Sequence, residues 1–126
     1  MEKILIIEDN PMVSKSLEFK LSRDGYEVFI AEDGRVAKEI LEKQKFDLIL
    51  TDLMLPFVTG IQLIEHVKAV YPGTPIIVLS TSKQEDIIMD AFNLGVEDFI
   101  TKPFSPNELS VRVKRSIKSA SLPEIK

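Results

Sequence analysis

The chain contains no cysteine, which removes disulfides, thiolate catalysis and zinc–thiolate centres from consideration. Long hydrophobic runs are missing too, and no stretch approaches the length of a transmembrane helix. The opening MEKILIIEDN offers one lysine and a four-residue apolar run, too short for a secretory signal, so the expected compartment is the cytoplasm. Positive charge is not in excess: a net charge of −4 argues against direct binding of nucleic acid or an anionic membrane. Glycine is sparse, and no glycine-rich phosphate loop follows the first apolar run.

What remains fits one compact domain. The 126 residues suffice for a sizeable core, and 44% apolar with 29% charged residues is ordinary for a water-soluble globular chain. Short apolar runs alternate with helix-period segments. Residues 3–7 (KILII), 27–31 (EVFIA), 47–51 (DLILT), 75–79 (PIIVL) and 97–101 (EDFIT) read as strands. Their near-continuous Ile, Leu and Val content suits strands covered on both faces, as in a parallel sheet. Between them Val13, Leu17 and Leu21 recur at four-residue spacing, and RDG at 23–25 closes that first helix. A second helix spans 35–43 with Val36, Ile40 and Leu41 as its inner face. A third spans 60–70, capped by Thr59, with Ile61, Ile64 and Val67 setting its period. A fourth spans 83–94 and is closed by Gly95. A fifth spans 106–120, where Ser105, Pro106 and Glu108 spell a capping box with proline at the first helical position. This alternation predicts an α/β domain over 1–120 with right-handed crossovers and helices on both sheet faces. The tail at 121–126 reads as the start of a linker or a frayed terminus.

In open α/β sheets, ligands sit beyond the carboxyl ends of the strands. The first strand runs into Glu8 and Asp9, the third into Asp52, the fourth into Ser80 and Thr81, and the fifth into Lys102 and Pro103. One polar strand exit means little, but carboxylates, hydroxyls and an ammonium leaving four strands at one edge form a convergent site. Crowded carboxylates repel unless a cation relieves them. Magnesium suits such a set, since it takes one or two carboxylates and keeps waters that a phosphate can replace. The lysine and hydroxyl add the remaining groups for holding a phosphoryl group, and Asp52 is the best-placed nucleophile.

The motifs IIEDN (6–10), LILTDLMLP (48–56), IIVLST (76–81) and EDFITKPF (97–104) occur in this order and spacing. Through them the chain resembles, along essentially its whole length, the receiver domain of bacterial two-component response regulators. The resemblance implies a flavodoxin-like doubly wound (βα)5 fold with a five-stranded parallel sheet in the order 2-1-3-4-5. It implies that Asp52 is the phosphoacceptor and that Mg2+ is held by Asp9, by Glu8 through water, by Asp52 and by the Met54 backbone carbonyl. Ser80 corresponds to the switch hydroxyl, the Thr81 N–H to a phosphoryl ligand, and Lys102 to the lysine that contacts a phosphoryl oxygen, with a cis Lys102–Pro103 bond. Phe99 corresponds to the rotating aromatic. The implied partner is a sensor histidine kinase or phosphotransfer protein, which Met12, Lys15, Glu18 and Phe19 on the first helix are free to meet. The implied output face comprises the fourth helix, fifth strand and fifth helix, including Ile88, Phe99 and Arg112.

Residues 104–118 are especially similar to receivers joined to winged-helix transcription factors. That likeness implies an effector domain beyond this chain and a homodimer in which Arg112 pairs across the interface with acids near Glu97 and Asp98. Ile88, where a basic residue is usual, departs from that pattern although Glu108 is present. Phe57, in a loop where small residues are usual, either shields the phosphosite or packs on the third helix. Met54 and Ser82, at positions that tune dephosphorylation, offer no good group to orient water, so a long-lived phosphoryl form is expected. His66 reads as a surface residue, and Arg112, Lys114, Arg115 and Lys118 as a solvated basic face. The domain is expected to turn over no independent substrate. Rival readings are a phosphorylation-independent docking module, a flavodoxin-like cofactor binder lacking its phosphate loop, and a magnesium-dependent aspartyl phosphohydrolase of the haloacid-dehalogenase type. The last would want an aspartate where Met54 stands.

Overall fold

The computed structural model describes residues 1–81 and 85–121. The elements are β1 (Lys3–Ile7), α1 (Pro11–Arg23), β2 (Glu27–Ala31), α2 (Gly34–Lys43), β3 (Leu48–Thr51), α3 (Gly60–Val70), β4 (Ile76–Ser80), α4 (Glu85–Asn93), β5 (Asp98–Thr101) and α5 (Pro106–Ser121). All strand pairs are parallel, in the order β2-β1-β3-β4-β5. Ser82, the first residues of the expected fourth helix and the tail from 122 lie outside the described residues.

The period-2 alternation of the strands divides the core in two. Leu5, Ile7, Ile49, Ile76 and Val78 point toward α2, α3 and α4, meeting Leu41, Leu63, Ile64, Val67 and Ala91. Ile4, Ile6, Leu48, Leu50, Ile77, Leu79 and Ile100 point the other way, meeting Leu17 and Leu21 of α1 and Leu109, Val113 and Ile117 of α5. The central strands are therefore apolar on both faces, as a helix-covered parallel sheet requires.

Helix ends follow local chemistry. The Asn10 side chain accepts from the Met12 N–H at 2.9 Å, with Pro11 at the first helical position of α1. Gly25 (φ +99°) and Gly95 (φ +93°) close α1 and α4. In each case the glycine N–H and that of the next residue turn back to the last turn's carbonyls, the glycine-terminated C-cap pattern.

Three details differ from the sequence expectation. The inner face of α2 is led by Ala37 and Leu41, with Val36 and Ile40 only half-buried at the edge of the core. On α3, Leu63 joins Ile64 and Val67 in the core while Ile61 sits at its edge. The complete capping box belongs to α3, where Thr59 and Gln62 exchange bonds of 3.1 and 3.0 Å. At α5 the Ser105 hydroxyl accepts from the Glu108 N–H at 3.5 Å, but the Glu108 carboxylate turns to Arg112, 3.6 Å away.

Candidate functional site

The strand exits meet at one edge of the sheet, held there by backbone bonds. The Glu8 N–H donates to the Ala31 carbonyl at 3.1 Å and the Asp52 N–H to the Ile7 carbonyl at 3.2 Å, so the first acid and the aspartate share the β1 exit. Beyond β5, the Lys102 N–H donates to the Ser80 carbonyl at 3.0 Å. The Lys102–Pro103 peptide is cis.

Lys102 then reaches across the edge. Its Nζ lies 2.8 Å from Asp52 Oδ2 and 3.0 and 3.1 Å from the two Glu8 oxygens. The three side chains are only 13, 12 and 3% exposed, so these charges are paired in a poorly hydrated place. The Met54 N–H adds a bond to Asp52 Oδ1 at 3.1 Å. Carboxylate oxygens of Glu8, Asp9 and Asp52 all lie within 4.8 Å of one another.

Two ionisation shifts follow. Burial pushes the Glu8 carboxyl above its ordinary 4.5; Lys102 opposes that shift and the nearby Asp52 reinforces it. Burial alone would lower Lys102, but its bonds to Asp52 and Glu8 outweigh it and hold the ammonium above 10.5. One ammonium against three clustered carboxylates leaves negative charge in excess. A hard divalent cation with oxygen ligands fits that donor set.

Comparison with known proteins decides the family: a profile described as the response regulator receiver domain matches residues 4–114. The chain belongs to that family. It is 35% identical over 121 residues to the alkaline phosphatase synthesis transcriptional regulatory protein PhoP of Bacillus subtilis, covering 96% of this chain and 50% of that protein. The receiver therefore spans half the length of that curated relative. Among solved structures, a CheY-like response regulator receiver domain protein from Methanospirillum hungatei matches with a TM-score of 0.92 at 28% identity, over 95% of this chain and 96% of that one. The receiver domain of the sensor histidine kinase PA1611 from Pseudomonas aeruginosa matches at 0.85 and 31% identity, over 93% and 98% of the two chains. That protein carries a magnesium ion coordinated in its active site cleft. The chain is thus a receiver domain of the two-component response regulator type, with the expected strand order.

The receiver brings Glu8, Asp9, Asp52 and Lys102 together. Ser80 is fully buried at the end of β4, Thr81 is exposed just beyond it, and Met54 is exposed just beyond Asp52. Phe99 is half-buried, its ring 6.4 Å from that of Phe92, and Ile88 is half-buried on α4. Arg112 is not a free, solvated group: its guanidinium lies 2.7 Å from Asp98 within the same chain, and Arg115 reaches the other Asp98 oxygen at 3.1 Å. Asp98 and Glu108 both hold Arg112 in its charged form. His66 is partly exposed on α3 and is not among the clustered carboxylates. Among the described residues no helix is long and apolar enough to cross a membrane.

Sequence reasoning did not find two groups that shape the site's surroundings. Asp33 caps α2 by accepting from Arg35 and Val36 N–H groups at 2.8 and 3.0 Å; a short acid just before a helical pattern was its signal. Gly60 lies so close to the site strand that a Cβ there would stand 2.5 Å from the Asp52 carbonyl oxygen. A glycine opening the third helical pattern was the available clue.

Proposed function

We propose that Asp52 accepts a phosphoryl group from a phosphohistidine on a sensor kinase or phosphotransfer protein. The observation that carries this is Lys102 bridging Asp52 and Glu8 beside a cluster of three carboxylates. An Asp52 oxygen attacks phosphorus, the bond to the histidine nitrogen breaks, and the imidazole leaves with the electron pair. Bound Mg2+ would neutralise charge on the equatorial phosphoryl oxygens. Glu8, Asp9, Asp52 and the Met54 carbonyl are the groups to hold it, Glu8 through water. Lys102 meets one phosphoryl oxygen, and the Ser80 hydroxyl and Thr81 N–H meet another.

The new charge draws Ser80 toward the phosphoryl group, while Lys102, already bonded to Asp52, shifts its bond to a phosphoryl oxygen. This biases a two-state equilibrium read at Phe99, Ile88 and Arg112 on α4, β5 and α5. A homodimer through this face would exchange the internal Asp98–Arg112 pair for one across the interface. An effector domain following the receiver, as in a transcription regulator, supplies the output. The domain turns over no independent substrate, because the phosphoryl group ends on its own aspartate. Met54 lacks the acid that a phosphohydrolase of this type would place there, which favours the receiver reading.

Incubation with magnesium and acetyl phosphate, followed by intact-mass measurement, tests the proposal. Wild type should gain one phosphoryl group and Asp52→Asn none. Labelling of both, or of neither while magnesium binds, rejects Asp52 as acceptor. Phospho-Asp52 should also outlast a timescale of seconds, since Met54 offers no group to orient water.

A further inference from the structure

The β3–α3 loop leaves Asp52, passes Met54 and returns to the sheet edge at Gly60. Within it Phe57 has φ +70°, the only positive φ of a non-glycine among the described residues. The Val58 N–H donates to the Pro56 carbonyl at 2.9 Å, making Phe57 the centre of a three-residue turn of the rarer, strained hand. For a residue with a bulky side chain this is a true outlier, and it persists only where the surroundings hold it.

Core packing does not hold it, for the residue is 68% exposed. It is not part of the core cluster that packs on α3. Instead the Arg35 guanidinium stands 3.5 Å from the ring centroid, a cation stacked on an aromatic face. Arg35 is itself tethered: its Nη2 lies 3.5 Å from Asp33 Oδ2, and Asp33 is the buried N-cap of α2. The Val36 N–H keeps the Asp33 carboxyl below its ordinary 3.8; burial opposes that shift, and Arg35 adds to it. The neighbouring Gly34 presses on Val58, where a Cβ would come within 2.5 Å of the valine Cβ. The first turn of α2 therefore grips the strained residue and the one after it. At the loop's base, the Gly60 N–H donates to the Leu53 carbonyl at 3.0 Å.

We propose that Arg35 is a positioning residue for the magnesium site. By stacking on Phe57 it keeps the strained turn, and with it the Met54 carbonyl, in the conformation that completes the ligand set of Glu8, Asp9 and Asp52. The proposal rests on the phosphoacceptor reading above. It has a distinctive consequence, because glycine adopts positive φ without help. A loop with glycine at 57 needs no clamp.

The test is a double-mutant cycle on magnesium affinity, measured by titration calorimetry on wild type, R35A, F57G and R35A/F57G, with R35K as the conservative variant. R35A should weaken binding about two- to five-fold, the worth of an exposed cation–aromatic contact. R35K should recover part of that loss. In the F57G background, R35A should change the affinity little. Acetyl phosphate labelling of R35A should recover at saturating magnesium. Urea unfolding without magnesium separates a structural role: lowered stability with unchanged magnesium affinity overturns the proposal. So does an R35A effect that persists in full beside F57G. If wild type binds no magnesium, the phosphoacceptor reading falls and this proposal with it; if wild type and R35A bind equally, only this proposal falls.

Discussion

Two charge clusters in this receiver are near mirror images. At the sheet edge one cation, Lys102, sits between two anions, Asp52 and Glu8. At the start of β5 one anion, Asp98, sits between two cations, Arg112 and Arg115. Burial separates them. Lys102, Glu8 and Asp52 are nearly sealed, whereas Arg112 is 32% and Arg115 66% exposed. In the buried cluster little water reaches the groups, so removing one charge leaves the others poorly compensated. On the surface, water and salt stand in for a lost partner. The same two-to-one arrangement is thus electrically loaded at one place and adjustable at the other. That suits the roles proposed for them, a site that responds to an arriving phosphoryl group and a face that exchanges partners.

The largest expected effect breaks the sealed cluster. Lys102→Ala leaves Glu8, Asp9 and Asp52 without their ammonium and should cost about 3 kcal/mol in magnesium-free urea unfolding. Added magnesium should return part of that loss, because a divalent cation supplies the charge that the lysine gave. A loss unaffected by magnesium would mean that Lys102 acts by packing its stem and not by its charge.

A smaller effect is the pH response of Glu8. Its folded carboxyl binds protons more tightly than the unfolded chain, whose value is near 4.5. Between 4.5 and the raised folded value the native state therefore holds a proton that the unfolded state has released. Glu8 thus favours folding on the acid side of that window, and the contribution is lost as pH rises through the folded value. Magnesium-free unfolding of wild type against Glu8→Gln should show wild type gaining relative stability as pH falls toward 4.5. A constant difference across that range would contradict the shift.

The sequence disclosed the sealed cluster's members but not their pairing. Isoleucine, leucine and valine runs announce strands buried on both faces, and the polar residues that end four of those runs mark the edge of the candidate site. Nothing in local periodicity says that Lys102 bonds to an acid 94 residues earlier; that follows from where β1, β3 and β5 lie in the sheet. The surface cluster was less legible. Arg112 sits four residues after Glu108 and near Asp98 in sequence, which fits a partner within the chain as well as one across an interface. Only the packing of α5 beside β5 selects the internal one. The Arg35–Phe57 stack left no sequence signal, since it joins the first turn of α2 to the β3–α3 loop through a backbone angle that residue types do not announce.

The smallest expected effect sharpens the comparison from its surface side. Arg115→Ala removes a guanidinium that is mostly in water, and Asp98 keeps Arg112 and the Phe99 N–H as partners. Its cost should be at most about 0.5 kcal/mol in low salt and should vanish in high salt. Arg112→Ala should cost more, up to about 1 kcal/mol, because Arg112 is less exposed and bridges Asp98 to Glu108. If the surface cluster is an adjustable face, both costs should shrink with salt while the Lys102→Ala cost does not. Equal salt sensitivity at both sites would mean that burial is not what distinguishes them, and the contrast between a loaded site and an exchangeable face would lose its physical basis.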